Sequence, residues 1–84
     1  MFSQSEENYL KAIYHLSQSY QSGVSTNAIA AQLETKPSSV SDMVKKLSDK
    51  DLVRYKKYYG VTLTETGHNV AINIIRKHRL WEVF

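Results

Sequence analysis

Cysteine is absent from the 84 residues, which rules out disulfide bridges, thiolate zinc sites and a cysteine nucleophile. Such a chain is compatible with a reducing compartment. Proline occurs once and glycine three times, too few for a proline-rich linker or a glycine loop that cradles a phosphate. No apolar run approaches the roughly 18 residues that a membrane span needs. The opening MFSQSEENYL lacks the basic and apolar regions of a signal peptide. A cytoplasmic protein with no membrane partner is therefore expected. No activated nucleophile and no carboxylate pair with a matching pocket stands out, so an enzyme is the least favoured class.

What is present suffices for folding. Hydrophobic residues make up 42% and charged residues 23%, close to ordinary globular usage and far from the signature of disorder. A chain of this length buries roughly 60 to 65% of the surface its unfolded form exposes, which permits one small core and one domain over residues 1–84. Eleven Lys and Arg against eight Asp and Glu give a formal charge of +3 and a pI near 9.2. The sign favours a polyanionic partner.

Apolar spacing lays out the elements. Tyr9, Ala12, Ile13, Leu16 and Tyr20 recur at three and four residues, predicting an amphipathic helix from Ser5 to Tyr20 that ends in QSYQSG. Ser25 is a plausible N-cap for a short, alanine-rich second helix through Leu33, built to pack closely. After the tight link Glu34-Thr35-Lys36, Pro37 suits the first turn of a third helix, since its missing N–H would have no partner there. Val40, Met43, Val44 and Leu47 form its apolar stripe, and Ser38, Ser39, Ser41, Asp42, Lys45, Lys46 and Asp49 occupy its other faces. Between Leu52 and Thr64 the pattern changes to alternation, with Val53 and Tyr55 in one arm and Val61 and Leu63 in the other, around Tyr58-Tyr59-Gly60. That is a β-hairpin in which Gly60 supplies positive φ. Thr64 can cap a fourth helix, its stripe formed by Val70, Ala71, Ile74, Ile75 and His78. This helix is still running at Trp81, Val83 and Phe84, an ending that suggests a chain cut before its natural stop, with Trp81 and Phe84 left for an interface.

Helix, short helix, tight link, two-sided helix, hairpin and helix is the order of a winged helix-turn-helix, a mainly α fold with a small β-hairpin. The third helix, about residues 37–50, is then the recognition helix in the major groove of double-stranded DNA, and the hairpin, about 52–64, is the wing. Short hydroxyls at Ser38, Ser39 and Ser41 let the helix N-terminus approach a phosphate or base edge. Pro37 and Asp42 share that end. Lys36, Lys45 and Lys46 add charge against the backbone, and Arg54, Lys56 and Lys57 form a second basic patch on the wing. Serines also cap helices and lysines also solvate surfaces, whatever a protein does. A winged helix serving only protein contact is the alternative, since the fold alone does not fix function.

The stretch KPSSVSDMVKKLSDKDLVRYKKYYGVTLTETG, preceded by EENYLKAIYHL and followed by IIRKHRLWE, resembles the DtxR/MntR family of metal-dependent bacterial transcriptional repressors over essentially the whole chain. Its most telling parts are the PSSV helix start, the LTxxG step after the wing and the KHRLxE segment. The resemblance implies a homodimer that binds a palindromic operator when Mn²⁺ or Fe²⁺ is loaded. It also implies a C-terminal dimerisation and metal-binding region that this sequence lacks. Among implied ligand positions, His78 matches, Glu82 matches an accessory-site position, and the two lie four apart on one helix face. Asn8 falls where the family has Asp or Met, and Lys11 falls at a family carboxylate position. An amide is a weaker, neutral ligand and an ammonium repels a cation, so this stretch is expected to hold metal weakly at best, or none by itself.

Overall fold

A computed structural model describes residues 3–20, 23–56 and 60–83, the side chains of 78–83 excepted. Helix α1 spans Gln4–Ser17 and starts in a capping box. The Ser3 hydroxyl accepts the Glu6 N–H, and the Glu6 carboxylate accepts the Ser3 N–H, both at 3.2 Å. The expected start at Ser5 and end at Tyr20 are corrected to these bounds. Backbone N–H groups of Ser19 and Tyr20 fold back onto the Leu16 carbonyl, so Tyr20 leaves the helix and stands 52% exposed. Leu10, outside the expected stripe, is fully buried with Ile13.

Helix α2, Thr26–Leu33, is capped by Ser25, whose hydroxyl accepts the Ala28 N–H at 3.0 Å. Glu34 turns the chain in the left-handed region (φ 53°), and helix α3, Pro37–Asp49, follows. Strands β1, Val53–Lys56, and β2, Gly60–Leu63, pair antiparallel, with Val53 opposite Leu63 and Lys56 opposite Gly60. Val24 bridges to Val61 through two hydrogen bonds of 2.8 and 2.7 Å, tying the α1–α2 connection to the hairpin. Helix α4 covers Glu65–Val83. Thr64 caps it by accepting the Gly67 N–H at 2.9 Å while donating to the Asp51 carbonyl at 2.7 Å.

Leu10, Ile13, Val24, Ile29, Val40, Leu47, Val53 and Val61 are the largest fully buried side chains, drawn from α1, the α1–α2 connection, α2, α3 and both strands, and Ala71 of α4 is fully buried with them. Each of those largest side chains contributes about 1.5–3 kcal/mol relative to exposure. The alternation places Val53 and Tyr55 together in one arm of the hairpin. Only Val53 is buried, and Tyr55 is 54% exposed although Val61, paired opposite it, is fully buried.

Two glycines are fixed by close approach. Gly60 is the first residue of β2, with φ +93°, and a Cβ there would lie 2.5 Å from the Val24 carbonyl oxygen. At Gly67 a Cβ would lie 1.8 Å from the Leu52 carbonyl oxygen. The LTxxG step is thus a cap, Thr64, followed by a close contact, Gly67, that seats α4 against the end of the α3–β1 connection.

Candidate nucleic-acid interface

Pro37 occupies the first turn of α3, and Lys36 is its N-cap, a side chain with no acceptor to offer. The other three helices begin with Ser3, Ser25 and Thr64 as side-chain caps. Ser38 and Ser39 therefore sit inside the first turn and cap nothing. The backbone N–H groups of Ser39 and Val40 close onto the Lys36 carbonyl at 3.0 and 3.2 Å. Ser38, Ser39, Ser41, Asp42, Lys45 and Lys46 are all exposed. None of their side chains makes a hydrogen bond or ion pair with another described residue.

Successive helical residues are about 100° apart, so burial of Val40, Val44 and Leu47 turns Ser38, Asp42 and Lys45 outward. Ser41 lies on one flank of that outward face, and Ser39 and Lys46 lie on the other. Arg54 and Lys56 of β1 are exposed as well. Lys57, with Tyr58 and Tyr59, lies outside the described residues. A cleft of about 340 Å³ runs along one flank of α3, lined by Thr26, Ser41, Val44, Lys45, Ser48, Asp49 and Tyr55. It joins the start of α2, the recognition helix and the wing strand. Lys36, Lys45, Lys46, Arg54 and Lys56 together outweigh Asp42 and Asp49, which suits a polyanion.

Thr26, Ser48 and Tyr55 were not among the expected site residues. Thr26 enters because the Val24–Val61 bridge holds the start of α2 beside the wing, a long-range pairing that local spacing does not reveal. Tyr55 enters because its exposed ring lines the same cleft as Ser41 and Lys45.

Lys50, at the C-cap of α3, donates to the carboxylate of Glu6 on α1. Glu6 is buried and also bound by the Ser3 backbone. The Lys50 hydrogen bond, followed by that of the Ser3 N–H, outweighs burial and lowers the Glu6 carboxyl from 4.5 to about 2. This pair holds the recognition helix against α1 at the end opposite its exposed serines.

Of the implied metal ligands, only Asn8 has a described side chain. The side chains of His78 and Glu82 lie outside the described residues. The Asn8 amide oxygen accepts from Gln4 Nε2 at 3.3 Å, and Asn8 shares a cleft of about 220 Å³ with Lys11, Ala12, His15, Gln32 and Leu33. That lining has a cation and no carboxylate. Among the described residues no three of His, Cys, Asp and Glu come together to hold a metal ion. The described donor set therefore does not fit a divalent cation. His15 and His68 instead flank the Tyr14 ring, with centroids 5.8 and 5.3 Å away.

Residues 1–61 match the profile of the iron dependent repressor, N-terminal DNA binding domain. An HTH-type transcriptional regulator of Methanocaldococcus jannaschii is 40% identical over 82 residues, 98% of this chain and 66% of that protein. The HTH-type transcriptional regulator MntR of Oceanobacillus iheyensis is 38% identical over 80 residues, 95% of this chain and 54% of that protein. The solved structure of the manganese regulator SloR superposes with a TM-score of 0.74 at 43% identity, covering 89% of this chain and 34% of that one. The chain thus spans between about half and two thirds of these two curated relatives. Among the described residues no helix is long and apolar enough to cross a membrane. With its fold, its exposed recognition helix and these matches agreeing, the chain belongs to the iron-dependent repressor family, in which it corresponds to the N-terminal DNA-binding domain.

Proposed function

We propose that this chain is the operator-binding domain of a metal-responsive transcriptional repressor acting in the cytoplasm, with α3 in the major groove and the hairpin on the flanking backbone. The observation that carries this reading is the start of α3. Lys36 takes the N-cap, so exposed Ser38 and Ser39 are released from capping and remain free to meet a phosphate or base edge. A surface serving only protein contact has no need of such a helix end flanked by Lys45, Lys46, Arg54 and Lys56. In this reading residues 1–84 are the DNA-binding unit. A further region of the regulator supplies homodimerisation and most of the ligands for Mn²⁺ or Fe²⁺, with His78 and Glu82 contributing from α4 and Asn8 contributing little.

The test is binding of the chain to duplex DNA over a range of salt concentrations. The expected result is an affinity that falls linearly on a log–log plot as phosphate contacts release counterions. Absence of duplex binding at low salt, together with a salt-insensitive protein partner, would overturn it.

A further inference from the structure

We infer that Asp42 is a base-selecting residue of the recognition helix, favouring cytosine at one position of the operator. The inference rests on the DNA-binding reading above and adds a chemical preference to it. Three features carry it: the orientation of Asp42, its freedom from partners and the chemistry of a carboxylate.

Val40, Val44 and Leu47 are 0, 4 and 0% exposed, which fixes the inward side of α3. At about 100° per residue, Asp42 lies roughly 160° from the centre of that stripe. It is among the outermost residues of the helix. One turn before it stand Ser38 and Ser39, whose short side chains do not hold the helix away from a groove floor. Asp42 lies in the N-terminal half of α3, the half that contacts base edges in a helix-turn-helix. Asp49, two turns further on, faces the cleft beside Tyr55.

Lys45 and Lys46 lie three and four residues after Asp42, the spacing at which helical ion pairs form. Even so, Asp42 makes no ion pair with either. Its carboxylate is exposed and has no partner among the described residues, so neither capping nor local pairing accounts for it.

An ionised carboxylate can only accept hydrogen bonds, and in a surface otherwise basic it is repelled by every phosphate. Such a group is tolerated in the groove only opposite a donor. The major-groove edge of guanine offers two acceptors, that of thymine offers an acceptor and a methyl group, and that of adenine sets its amino group beside the N7 acceptor. Cytosine alone presents an amino donor with no acceptor of its own. Asp42 therefore selects cytosine and rejects guanine at the same position.

The test is selection of duplexes from a randomised pool by the full chain at low salt, repeated with Asp42→Asn and Asp42→Ala after circular dichroism has shown both variants folded. The wild-type chain is expected to enrich a fixed cytosine within its preferred sequence. Asp42→Ala should relax that position alone by roughly ten- to hundredfold, the range of one good base contact. Asp42→Asn should shift it toward adenine, whose N6 and N7 an amide can satisfy together. Enrichment of the same base by all three proteins would overturn the role of Asp42 and leave DNA reading intact. Enrichment of no sequence by the wild-type chain would overturn the DNA-binding reading itself, and with it this inference.

Discussion

Lys50 joins the C-terminal end of α3 to the first turn of α1 by donating to the Glu6 carboxylate, a contact between residues 44 apart in the chain. The Glu6 side chain is 5% exposed and that of Lys50 is 40% exposed, so one partner is shielded and the other is open to solvent screening. Glu6→Gln removes the charge but keeps the size, and should destabilise the domain by about 1–3 kcal/mol. Because the folded-state carboxyl titrates near 2 and not near 4.5, its stabilisation is fully present above pH 4.5. It is lost as pH falls from there toward 2. Urea unfolding of both proteins at pH 7 and pH 3 checks this, with a smaller gap expected at pH 3.

The junction between wing and α4 is the second place where single atoms decide stability. Gly67→Ala drives a Cβ into the Leu52 backbone carbonyl, which has no flexible end to yield, so a loss of about 3 kcal/mol is expected. Gly60→Ala is strained both by φ +93° and by the Val24 carbonyl, and should lose about 1–3 kcal/mol. Thr64→Val keeps the volume but forfeits both hydroxyl contacts, and should lose about 1–2 kcal/mol. Thermal melts of the three variants measure these losses. Gly60→Ala alone should also weaken duplex binding beyond its effect on folding, because it loosens the Val24–Val61 bridge beside the wing.

The order of elements was legible because each had a local signal: three- and four-residue spacing for the helices, Pro37 for the start of α3, and alternation around Gly60 for the hairpin. Ser25 and Thr64 were readable as caps for the same reason. What escaped were features set by residues distant in sequence. The burial of Glu6 depends on Lys50, and the position of Thr26 depends on the Val24–Val61 bridge. Periodicity also gives no end point for α1, so Tyr20 fits the spacing of a stripe that it does not join. In the candidate interface, the serines and lysines could be read as exposed, but their release from capping could not. That release rests on Lys36 at the N-cap, which offers no acceptor.

Metal should have little influence on this chain alone. The cleft that includes Asn8 also holds Lys11, and its lining offers no carboxylate. Duplex affinity is expected to agree within about twofold in EDTA and in Mn²⁺ after correction for ionic strength, since the small change in screening is the only remaining effect. Fluorescence anisotropy with a labelled duplex measures it. A tenfold gain on adding Mn²⁺ at constant ionic strength would show that α1 and α4 complete a site within these residues.

Charge removal on α3 and on the wing should be separable from changes to the hydroxyls. Lys45 and Lys46 are exposed and unpaired among the described residues, so their contribution to a polyanion is a point charge with no geometric demand. Lys45→Ala and Lys46→Ala should each weaken binding to all duplexes alike. Each should also reduce the slope of log affinity against log salt by about 0.9 if that lysine neutralises one phosphate. Arg54→Ala and Lys56→Ala should act in the same way from the wing. Ser39→Ala and Ser41→Ala remove no charge, so the slope should stay constant while the ranking of duplex sequences changes. Titrations at four salt concentrations with two unrelated duplexes distinguish the classes. If the lysine variants keep the wild-type slope, α3 does not lie against the phosphate backbone, and the polyanion is met by another face of the domain.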